Sequence, residues 1–316
     1  MIKRLTTENI DDLDGLIEDF LQFLQEKYGQ PAFPLKEQLQ DAISQNTRAI
    51  FAVYDQDGKT VGMTVGNLAS HWITLFYVQN MLNPSGNSKT FIYEKELFEA
   101  IFTYLKENFP NVGITRDLSK ALGKHIVELG FQRFERAHMS ISRSEINELA
   151  EPPLPPDFTF TAWNKEMRES LVEILGQSHF NSDHVDGQVF PQFSGVDGVR
   201  FLLEGIENST FGQFKEEFPR VLKHNGKPIG ICFLTTLSSN DGYIPEIAIL
   251  PSCRGKRLGR ALIVHSIKHF IEIEPEIPRV DLDVTLDNIP AGALYSSLGF
   301  QERQRYFLSV WNRENS

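Results

Sequence analysis

The chain has 316 residues, of which 41% are hydrophobic and 23% are charged, as in a soluble globular protein of two ordinary domains. The net charge is −11: residues 1–151 hold 15 basic and 21 acidic side chains, and residues 152–316 hold 16 and 21. Neither half is basic enough to make nucleic acid its main partner. The overall negative field favours a cationic substrate.

The cellular compartment is indicated by the cysteines and the N-terminus. Cys232 and Cys253 make no disulfide framework and favour a reducing environment. The first residues, "MIKRLTTENIDDLDGL", lack the apolar core of a signal peptide. No apolar run approaches the roughly 20 residues that span a bilayer. We therefore expect a cytoplasmic protein with no membrane partner.

The first half of the chain begins with a predicted strand at Ile2–Thr6 and a helix around Leu13–Lys27. The segment Ala49–Gly66 then predicts a hairpin, because Asp57-Gly58 is a strong turn signal between two apolar runs. This half closes with "ELGFQRFERAHMSI", Glu128–Ile141.

A proline-rich segment, "EPPLPPDF", follows at Glu151–Phe158. Its prolines can neither continue a helix nor pair within a central strand. We therefore predict one domain at residues 1–148, a linker at 149–157 and a second domain at 158–316.

The second half repeats the plan of the first. Its hairpin turns at Asn225-Gly226, and Gly226 lies 168 residues after Gly58. "SLGFQERQRYFLSV", beginning at Ser297, parallels the closing segment of the first half at an offset of 169. Two matches at nearly one offset indicate a duplicated domain. The remaining predicted elements are strands at Phe158–Trp163, Tyr243–Ile249, Arg279–Val284 and Glu302–Trp311, and helices at Lys165–Leu175, Val196–Glu207, Leu258–Ile273 and Pro290–Leu298. Each unit is therefore predicted to be mixed α/β, of the α+β type.

A basic turn separates the predicted strand that ends at Ile249 from the helix that begins at Leu258. It holds Arg254, Gly255, Lys256, Arg257, Gly259 and Arg260. The first turn of a helix has free N–H groups and a positive dipole end, so this turn is a candidate anion site. The spacing fits neither a P-loop nor a dinucleotide fingerprint. A basic helix cap on a surface turn is the alternative.

The basic turn resembles the acyl-CoA pyrophosphate loop of the GNAT (GCN5-related N-acetyltransferase) superfamily, written Q/R-x-x-G-x-G/A. Arg254 takes the first place and Gly259 the last, whereas Arg257 stands where the family usually has glycine. The Arg257 side chain would either crowd the cofactor path or pair with a phosphate. "DNIPAGALYSSLGF", Asp287–Phe300, resembles the N-x-x-A-x-x-L-Y-x-x-x-G-F segment of the same family.

The resemblance implies two GNAT-like domains, each with a mostly antiparallel twisted sheet, flanking helices and a parallel splay between the fourth and fifth strands. The pantetheine of an acyl-CoA would insert into that splay, and backbone N–H groups of the basic turn would hold the pyrophosphate. The implied binding residues are Ile247, Ala248, Ile249, Arg254, Gly255, Lys256, Arg257, Leu258, Gly259, Arg260 and Asn288. Asn288 also has the place of a helix cap.

The resemblance makes Tyr295 the candidate general acid that protonates the leaving thiolate, with a packed aromatic as the alternative. Asp283 is the first candidate for the general base, slightly ahead of Glu246, and a solvated strand face is the alternative for both. Asp281 and Asp283 point to the same face of their strand, which would raise one pKa or attract a cation.

The segment Gln177–Gly195 shapes the acceptor pocket in the family that the chain resembles. His179, Asp183, His184 and Asp186 lie there but lack zinc spacing, and we predict no metal.

The first half lacks the basic loop between Tyr77 and Phe102, and His125 or Ile126 stands where the tyrosine would be. We therefore interpret it as a degenerate copy. The resemblance implies transfer of an acetyl group from acetyl-CoA to an amine in a ternary complex. The acceptor would be a small molecule, or an amine of a protein or peptide. The alternatives are a silent acyl-CoA-binding regulator and an acyltransferase that uses a bulkier donor across both halves.

Overall fold

The computed structural model describes residues 1–28, 33–79, 88–114, 120–180 and 184–313. The strands are β1 (Ile2–Arg4), β2 (Arg48–Tyr54), β3 (Thr60–Asn67), β4 (Trp72–Val78), β5 (Asn111–Ile114), β6 (Gln132–Ser142), β7 (Phe158–Ala162), β8 (Arg220–His224), β9 (Lys227–Thr236), β10 (Gly242–Ile249), β11 (Arg279–Thr285) and β12 (Gln301–Asn312). The α-helices are α1 (Asp14–Tyr28), α2 (Leu35–Ser44), α3 (Ser88–Asn108), α4 (Lys120–Glu128), α5 (Arg143–Glu148), α6 (Arg168–Ser178), α7 (Val185–Val189), α8 (Gly195–Glu207), α9 (Leu258–Ile273) and α10 (Ile289–Ser297). Within those ranges, no helix combines the length and the apolar character that crossing a bilayer requires.

The chain forms two compact units. Unit 1 comprises Met1–Arg133 and Phe307–Ser316, and unit 2 comprises Phe134–Tyr306. These units do not coincide with domains divided at the proline-rich segment, because the last strand of each repeat pairs in the other unit. Most of β6 lies in unit 2, where it pairs with β11, and the end of β12 pairs with β5 in unit 1. The division at residues 149–157 stays a prediction about the repeats.

Unit 1 is built on a sheet in the order β1-β2-β3-β4-β5, with the end of β12 beside β5. All pairs are antiparallel except β4–β5, which is parallel. One face is covered by α3 and α4, with Phe98 and Leu122 in that core. The other face is covered by α1 and α2, with Leu16 and Leu39 in that core.

Unit 2 repeats this arrangement in the sheet order β6-β11-β10-β9-β8-β7. Its pairs are antiparallel except β10–β11, which is the parallel pair. Helix α9 packs on one face, where Ile263, Ile267, Phe270 and Ile271 are buried as their helical spacing predicts. Helices α6 and α8 pack on the other face. The predicted mixed α/β class, with parallel fourth and fifth strands in each of the two units, is confirmed.

Gly242, at the start of β10, provides a test of how tightly this sheet is packed. A Cβ atom added there would lie 2.6 Å from Cε1 of Phe270 and 3.0 Å from Cγ2 of Val280, both fully buried. We expect Gly242→Ala to lower the free energy of unfolding by about 1–3 kcal/mol, because a packed core does not absorb an extra carbon without strain. Urea unfolding measures the change.

The matched control is Gly176→Ala on α6, where an added Cβ meets no heavy atom within 4 Å. That variant should be neutral or gain up to about 1 kcal/mol, because alanine favours a helix over glycine. Equal effects of the two substitutions would contradict the packing described for β10.

Candidate active site

The gap between β10 and β11 is the central feature of unit 2. The two strands pair in parallel only from Gly242 to Ile244, opposite Val280 to Leu282. Beyond that point β10 keeps its partner β9, with a register shift between Tyr243 and Glu246. The backbone of β10 therefore has a free edge toward β11 where the strands part.

Alternation along β10 decides which backbone groups face this gap. The N–H of Leu250 donates to the Ile229 carbonyl of β9 at 2.9 Å, so Ala248 also directs its backbone groups toward β9. The N–H and C=O groups of Ile247 and Ile249 then point away from β9, whereas those of Ala248 do not. Two of these four groups are engaged within the protein, because the Ile247 N–H donates to Glu246 at 2.9 Å and the Ile249 carbonyl accepts the Ser178 hydroxyl at 3.0 Å. The Ile247 carbonyl and the Ile249 N–H are left to contact a pantetheine.

Two of the four cations in the basic turn are engaged within the protein. Arg254 donates from Nη2 to the Ser178 carbonyl at 3.0 Å and from Nε to the Ile249 carbonyl at 3.4 Å. Arg260 donates from Nη1 to the carbonyl and the hydroxyl of Ser297, both at 3.1 Å. Their side chains hold the turn to α6 and to the end of α10.

The other two cations, Lys256 and Arg257, are exposed and make no hydrogen bond or ion pair within the described ranges. The first backbone bond into α9 runs from Ala261 N–H to the Arg257 carbonyl, and no side chain caps the helix. The preceding N–H groups, those of Leu258, Gly259 and Arg260, have no acceptor in the part of the chain that the structure describes. Free charge and free N–H groups therefore coincide at the N-terminus of a 16-residue helix.

Glycine stands at two positions of the turn for different physical reasons. Gly255 has φ +80°, in the left-handed region that glycine adopts without strain. Gly259 allows α9 and α10 to approach, because an added Cβ would lie 3.3 Å from Cδ2 of Leu294. Arg257, at φ 60°, occupies the left-handed conformation without the advantage of glycine, and its side chain points to solvent.

Glu246 and His179 form a largely buried pair beside the gap. Glu246 Oε1 lies 2.8 Å from His179 Nδ1 and accepts the Ile247 N–H at 2.9 Å. Glu246 Oε2 has no hydrogen-bond partner in the described ranges, and the side chain is 11% exposed. Burial lowers the pKa of His179, but the attraction of Glu246 outweighs burial, so the pKa is raised from its ordinary value.

Asp283 has different surroundings, because both of its oxygens are engaged. Its Oδ1 lies 3.2 Å from His138 Nδ1, and its Oδ2 accepts the Tyr243 hydroxyl at 2.9 Å. Asp281 reaches the other ring nitrogen of His138 at 3.4 Å. The sequence predicts that this carboxylate pair either raises one pKa or attracts a cation. The structure shows the second outcome, because the ring of His138 contacts both carboxylates.

The pKa values follow from this arrangement. Burial raises the pKa of Asp281 and of Asp283, but the hydrogen bonds and positive charges of their neighbours, His138 first among them, together outweigh burial, and both pKa values are lowered. The same bonds raise the pKa of His138 to about 9. Asp283 is therefore a paired, ionised carboxylate at neutral pH.

Asn288 belongs to a second polar group at the far end of β11. Its Oδ1 accepts the Ala291 N–H at 3.4 Å, so it caps α10, and its Nδ2 donates to Asp186 Oδ2 at 3.2 Å. Asp186 Oδ1 accepts the Thr285 hydroxyl at 3.1 Å. The ring of His184 lies 5.2 Å from that of His179. Residues of the predicted acceptor segment are thus brought to the gap, although Asp183 lies outside the described ranges.

Tyr295, on α10, is 9% exposed and packs with Phe300 in the α9-side core. Burial raises the pKa of Tyr295, and the charges of Glu246 and Asp186 raise it further. The phenol is therefore protonated at neutral pH. Both interpretations of Tyr295, packed aromatic and proton donor, fit this environment.

Sequence reasoning missed the partners that His138 and His179 provide. His138 belongs to the closing strand of the first repeat, and no local pattern indicates that it faces Asp281 and Asp283. The sequence suggests His179 only as a possible metal ligand. No group of three or more His, Cys, Asp and Glu side chains is arranged to hold a metal ion in the described ranges.

Residues 195–300 match the family model described as the acetyltransferase (GNAT) family. No curated protein matches the sequence significantly.

Among solved structures, a GCN5-related N-acetyltransferase from Sphaerobacter thermophilus is 15% identical, with a TM-score of 0.60 over 99% of this chain and 95% of that chain. A tandem GNAT protein from the clavulanic acid biosynthesis pathway is 14% identical, with a TM-score of 0.61 over 100% and 99%. A glucosamine N-acetyltransferase region of a fungal multi-domain β-N-acetylglucosaminidase is 13% identical, with a TM-score of 0.65 over 98% of this chain and 38% of that one. At these identities the likeness concerns the fold.

Residues 195–300 therefore form a GNAT acetyltransferase domain, and the chain as a whole has the fold of tandem GNAT proteins. The family assignment made from the two sequence motifs is confirmed. Members of this family are in general acyl-CoA-dependent acetyltransferases.

His138 provides a test of the electrostatics of β11. Its folded-state pKa of about 9 exceeds the ordinary value of about 6.5. Its stabilising contribution is therefore complete below about pH 6.5 and is lost as the pH rises through about 9. We expect His138→Gln to lower the free energy of unfolding by on the order of 2 kcal/mol at pH 6 and by much less at pH 9.5. Urea unfolding at both pH values measures the difference, and a cost that does not depend on pH would contradict the pairing.

Proposed function

We propose that the protein transfers an acetyl group from acetyl-CoA to a primary amine by direct attack within a ternary complex. The observation that carries this proposal is the uncapped N-terminus of α9 beside the gap between β10 and β11. The free N–H groups of Leu258–Arg260 and the unpaired cations Lys256 and Arg257 suit the pyrophosphate of an acyl-CoA. The Ile247 carbonyl and the Ile249 N–H on the open edge of β10 suit the extended, amide-bearing pantetheine, which would lie there as an added strand does.

The residues of the basic turn take different roles in this proposal. Lys256 and Arg257 supply charge to the phosphates, whereas Arg254 and Arg260 hold the turn in place through carbonyl contacts. Gly255 allows the left-handed turn. Asn288 caps α10 and holds Asp186, so its effect on the pantetheine is indirect.

We assign the general base to Glu246 and reverse the order in which the sequence ranked it against Asp283. Asp283 has a lowered pKa and both oxygens occupied, so it is a weak proton acceptor. Glu246 keeps Oε2 free, and His179 orients its carboxylate. A base must have an open lone pair in reach of the proton that it removes.

The neutral amine attacks the thioester carbonyl carbon, the new C–N bond forms and the C–S bond breaks. Glu246 accepts the proton that the amine loses, directly or through one water. Tyr295 donates its phenolic proton to the departing thiolate, and proton exchange with solvent restores both groups. The high pKa that burial gives Tyr295 keeps the proton available at neutral pH.

Substitution of Glu246 tests the assignment of the base. We expect Glu246→Gln to lower kcat by about 10²–10⁴-fold, the usual contribution of a positioned base, while acetyl-CoA affinity changes little. Glu246 is also the group that raises the pKa of His179, so without the carboxylate burial lowers that pKa. Any acidic limb that remains in the kcat–pH profile should therefore move to lower pH. CoA release at saturating amine, measured from pH 5.5 to 9.5, reports both effects.

Asp283→Asn is the matched control. It should cost stability, because His138 and Tyr243 lose a partner, but it should retain kcat within about tenfold. Turnover that survives Glu246→Gln and disappears in Asp283→Asn would reverse the assignment. Tyr295→Phe keeps the packed ring and removes the donor, so full activity in that variant would exclude Tyr295 as the acid.

The basic turn gives a second prediction. We expect the double substitution Lys256→Ala and Arg257→Ala to weaken acetyl-CoA binding by about 10- to 100-fold at low salt, because each removes a charge-assisted contact. The difference should shrink at high salt, since both side chains are exposed. Isothermal titration calorimetry measures the affinity.

Arg260→Gln is the control for the turn, because its side chain is already bonded to Ser297. It should change affinity less than the double variant does. A larger loss from Arg260→Gln would mean that Arg260 leaves Ser297 to contact the phosphates.

The proposed loss of cofactor binding in the first half depends on the segment after β4. Residues 80–87, where a cofactor loop would lie, are outside the described ranges. That the first half has lost cofactor binding therefore stays a proposal, and it rests on the absence of the basic pattern in its sequence.

A further inference from the structure

A buried arginine in unit 2 has no role in the steps proposed above. Arg136, on β6, is 8% exposed. Its Nη2 donates to the Asp283 carbonyl at 3.1 Å. Its Nε and Nη1 are buried and have no hydrogen-bond partner in the described ranges. These two nitrogens carry most of the N–H bonds of the guanidinium.

Such an arrangement is costly unless a ligand completes it. A buried donor without an acceptor loses its hydration and gains nothing in return, and the loss is larger for a charged group. The ring of Phe190 lies 4.9 Å from the guanidinium carbon, which offers cation–π attraction but no acceptor oxygen. The fold therefore leaves the guanidinium incompletely satisfied.

Neighbouring carboxylates do not fill this deficit. Asp283 gives its two oxygens to His138 and Tyr243. Asp186 gives its two oxygens to Thr285 and Asn288. Neither carboxylate is hydrogen-bonded to Arg136, although the charges of both attract its guanidinium. The donors of Nε and Nη1 are therefore what remains for a group from outside.

The position of Arg136 connects it with the proposed acceptor site. Arg136 pairs with Thr285 in the antiparallel ladder of β6 and β11, so the two side chains leave the same face of the sheet. Thr285 is bonded to Asp186 at the start of the segment that ends in Phe190, and Phe190 covers the guanidinium. Arg136 therefore lies on the face that carries the predicted acceptor segment.

We propose that Arg136 binds an anionic oxygen-acid group, a carboxylate or a phosphate, on the amine that accepts the acetyl group. This inference rests on the proposed acetyl transfer. Glu246 would receive the amine end of the acceptor and Arg136 the anionic end, so the site would select molecules that carry both. A guanidinium matches either anion through charge-assisted hydrogen bonds.

Matched pairs of amines test this proposal on the full chain with acetyl-CoA. Lysine and cadaverine differ by a carboxylate, as do 4-aminobutanoate and propylamine, whereas phosphoethanolamine and ethanolamine differ by a phosphate. We expect about a 10- to 100-fold higher kcat/KM for the anionic member of at least one pair, mainly through a lower KM, as loss of a charged hydrogen bond predicts. The pair that shows the preference identifies the anion.

The variant R136Q should abolish that preference, and R136K, which retains the charge but not the planar fork, should keep part of it. R143Q is the matched control, because Arg143 is also partly buried in unit 2 and its side-chain hydrogen bonds within the described ranges go to the backbone carbonyls of Ile271, Glu274 and Ile277. It should lower the melting temperature and leave the preference unchanged. Melting temperatures of all variants confirm that each is folded.

The outcomes separate this inference from the proposed function. The role of Arg136 would be overturned if the amines that lack a carboxylate or phosphate were acetylated as efficiently as the members that carry one. A preference that survives in R136Q would overturn it as well. Either result would leave the acetyltransferase proposal intact. If no amine is acetylated, the same probes are titrated into CoA-saturated protein. Binding of an anionic probe that R136Q loses would support the inference alone, and the absence of such binding would overturn it.

Discussion

The parallel pairing of β10 with β11 ends after Ile244 and Leu282, and the rest of the site depends on that limit. Because the strands part there, the backbone of Ile247 and Ile249 has no sheet partner on one side. The start of α9 lies beside the end of β10, since a Cβ added at Gly259 would lie 3.9 Å from Cδ1 of Ile249, and no side chain caps that helix. A ligand that offers amides along its length and phosphates at its end matches both features.

Two carboxylates beside this gap, Asp283 and Glu246, differ in their hydrogen bonds because their neighbours differ. Asp283 is bonded to a histidine on β6 and to a tyrosine, and its pKa is lowered. Glu246 shares only one oxygen, with His179 and the Ile247 N–H. We infer that the first stabilises the sheet and the second serves the chemistry. Arg136 is buried on the face of the sheet that carries Asp283, and two of its nitrogens lack a hydrogen-bond partner in the described ranges. We infer that it binds the anionic group of the acceptor.

The sequence predicted the fold class and the bounds of α9, because these depend on local periodicity and turn residues. That the basic turn binds an anion stays a prediction. The sequence did not predict that Arg254 and Arg260 would be bonded to carbonyls, since their spacing is the same whether they bind phosphate or protein. It also did not predict His138 opposite Asp281 and Asp283. That contact depends on the pairing of β6 with β11, which lie about 140 residues apart, and on the last strands of the repeats pairing in each other's units. Strand patterns identify a strand but not its partner.

We propose that acyl-CoA binds once per chain, at the gap of unit 2. Calorimetric titration of the full chain with acetyl-CoA measures this stoichiometry. We expect a single class of sites with one site per chain. A stoichiometry of two would contradict the silence of the first half, and an absence of binding would contradict the role of the β10–β11 gap.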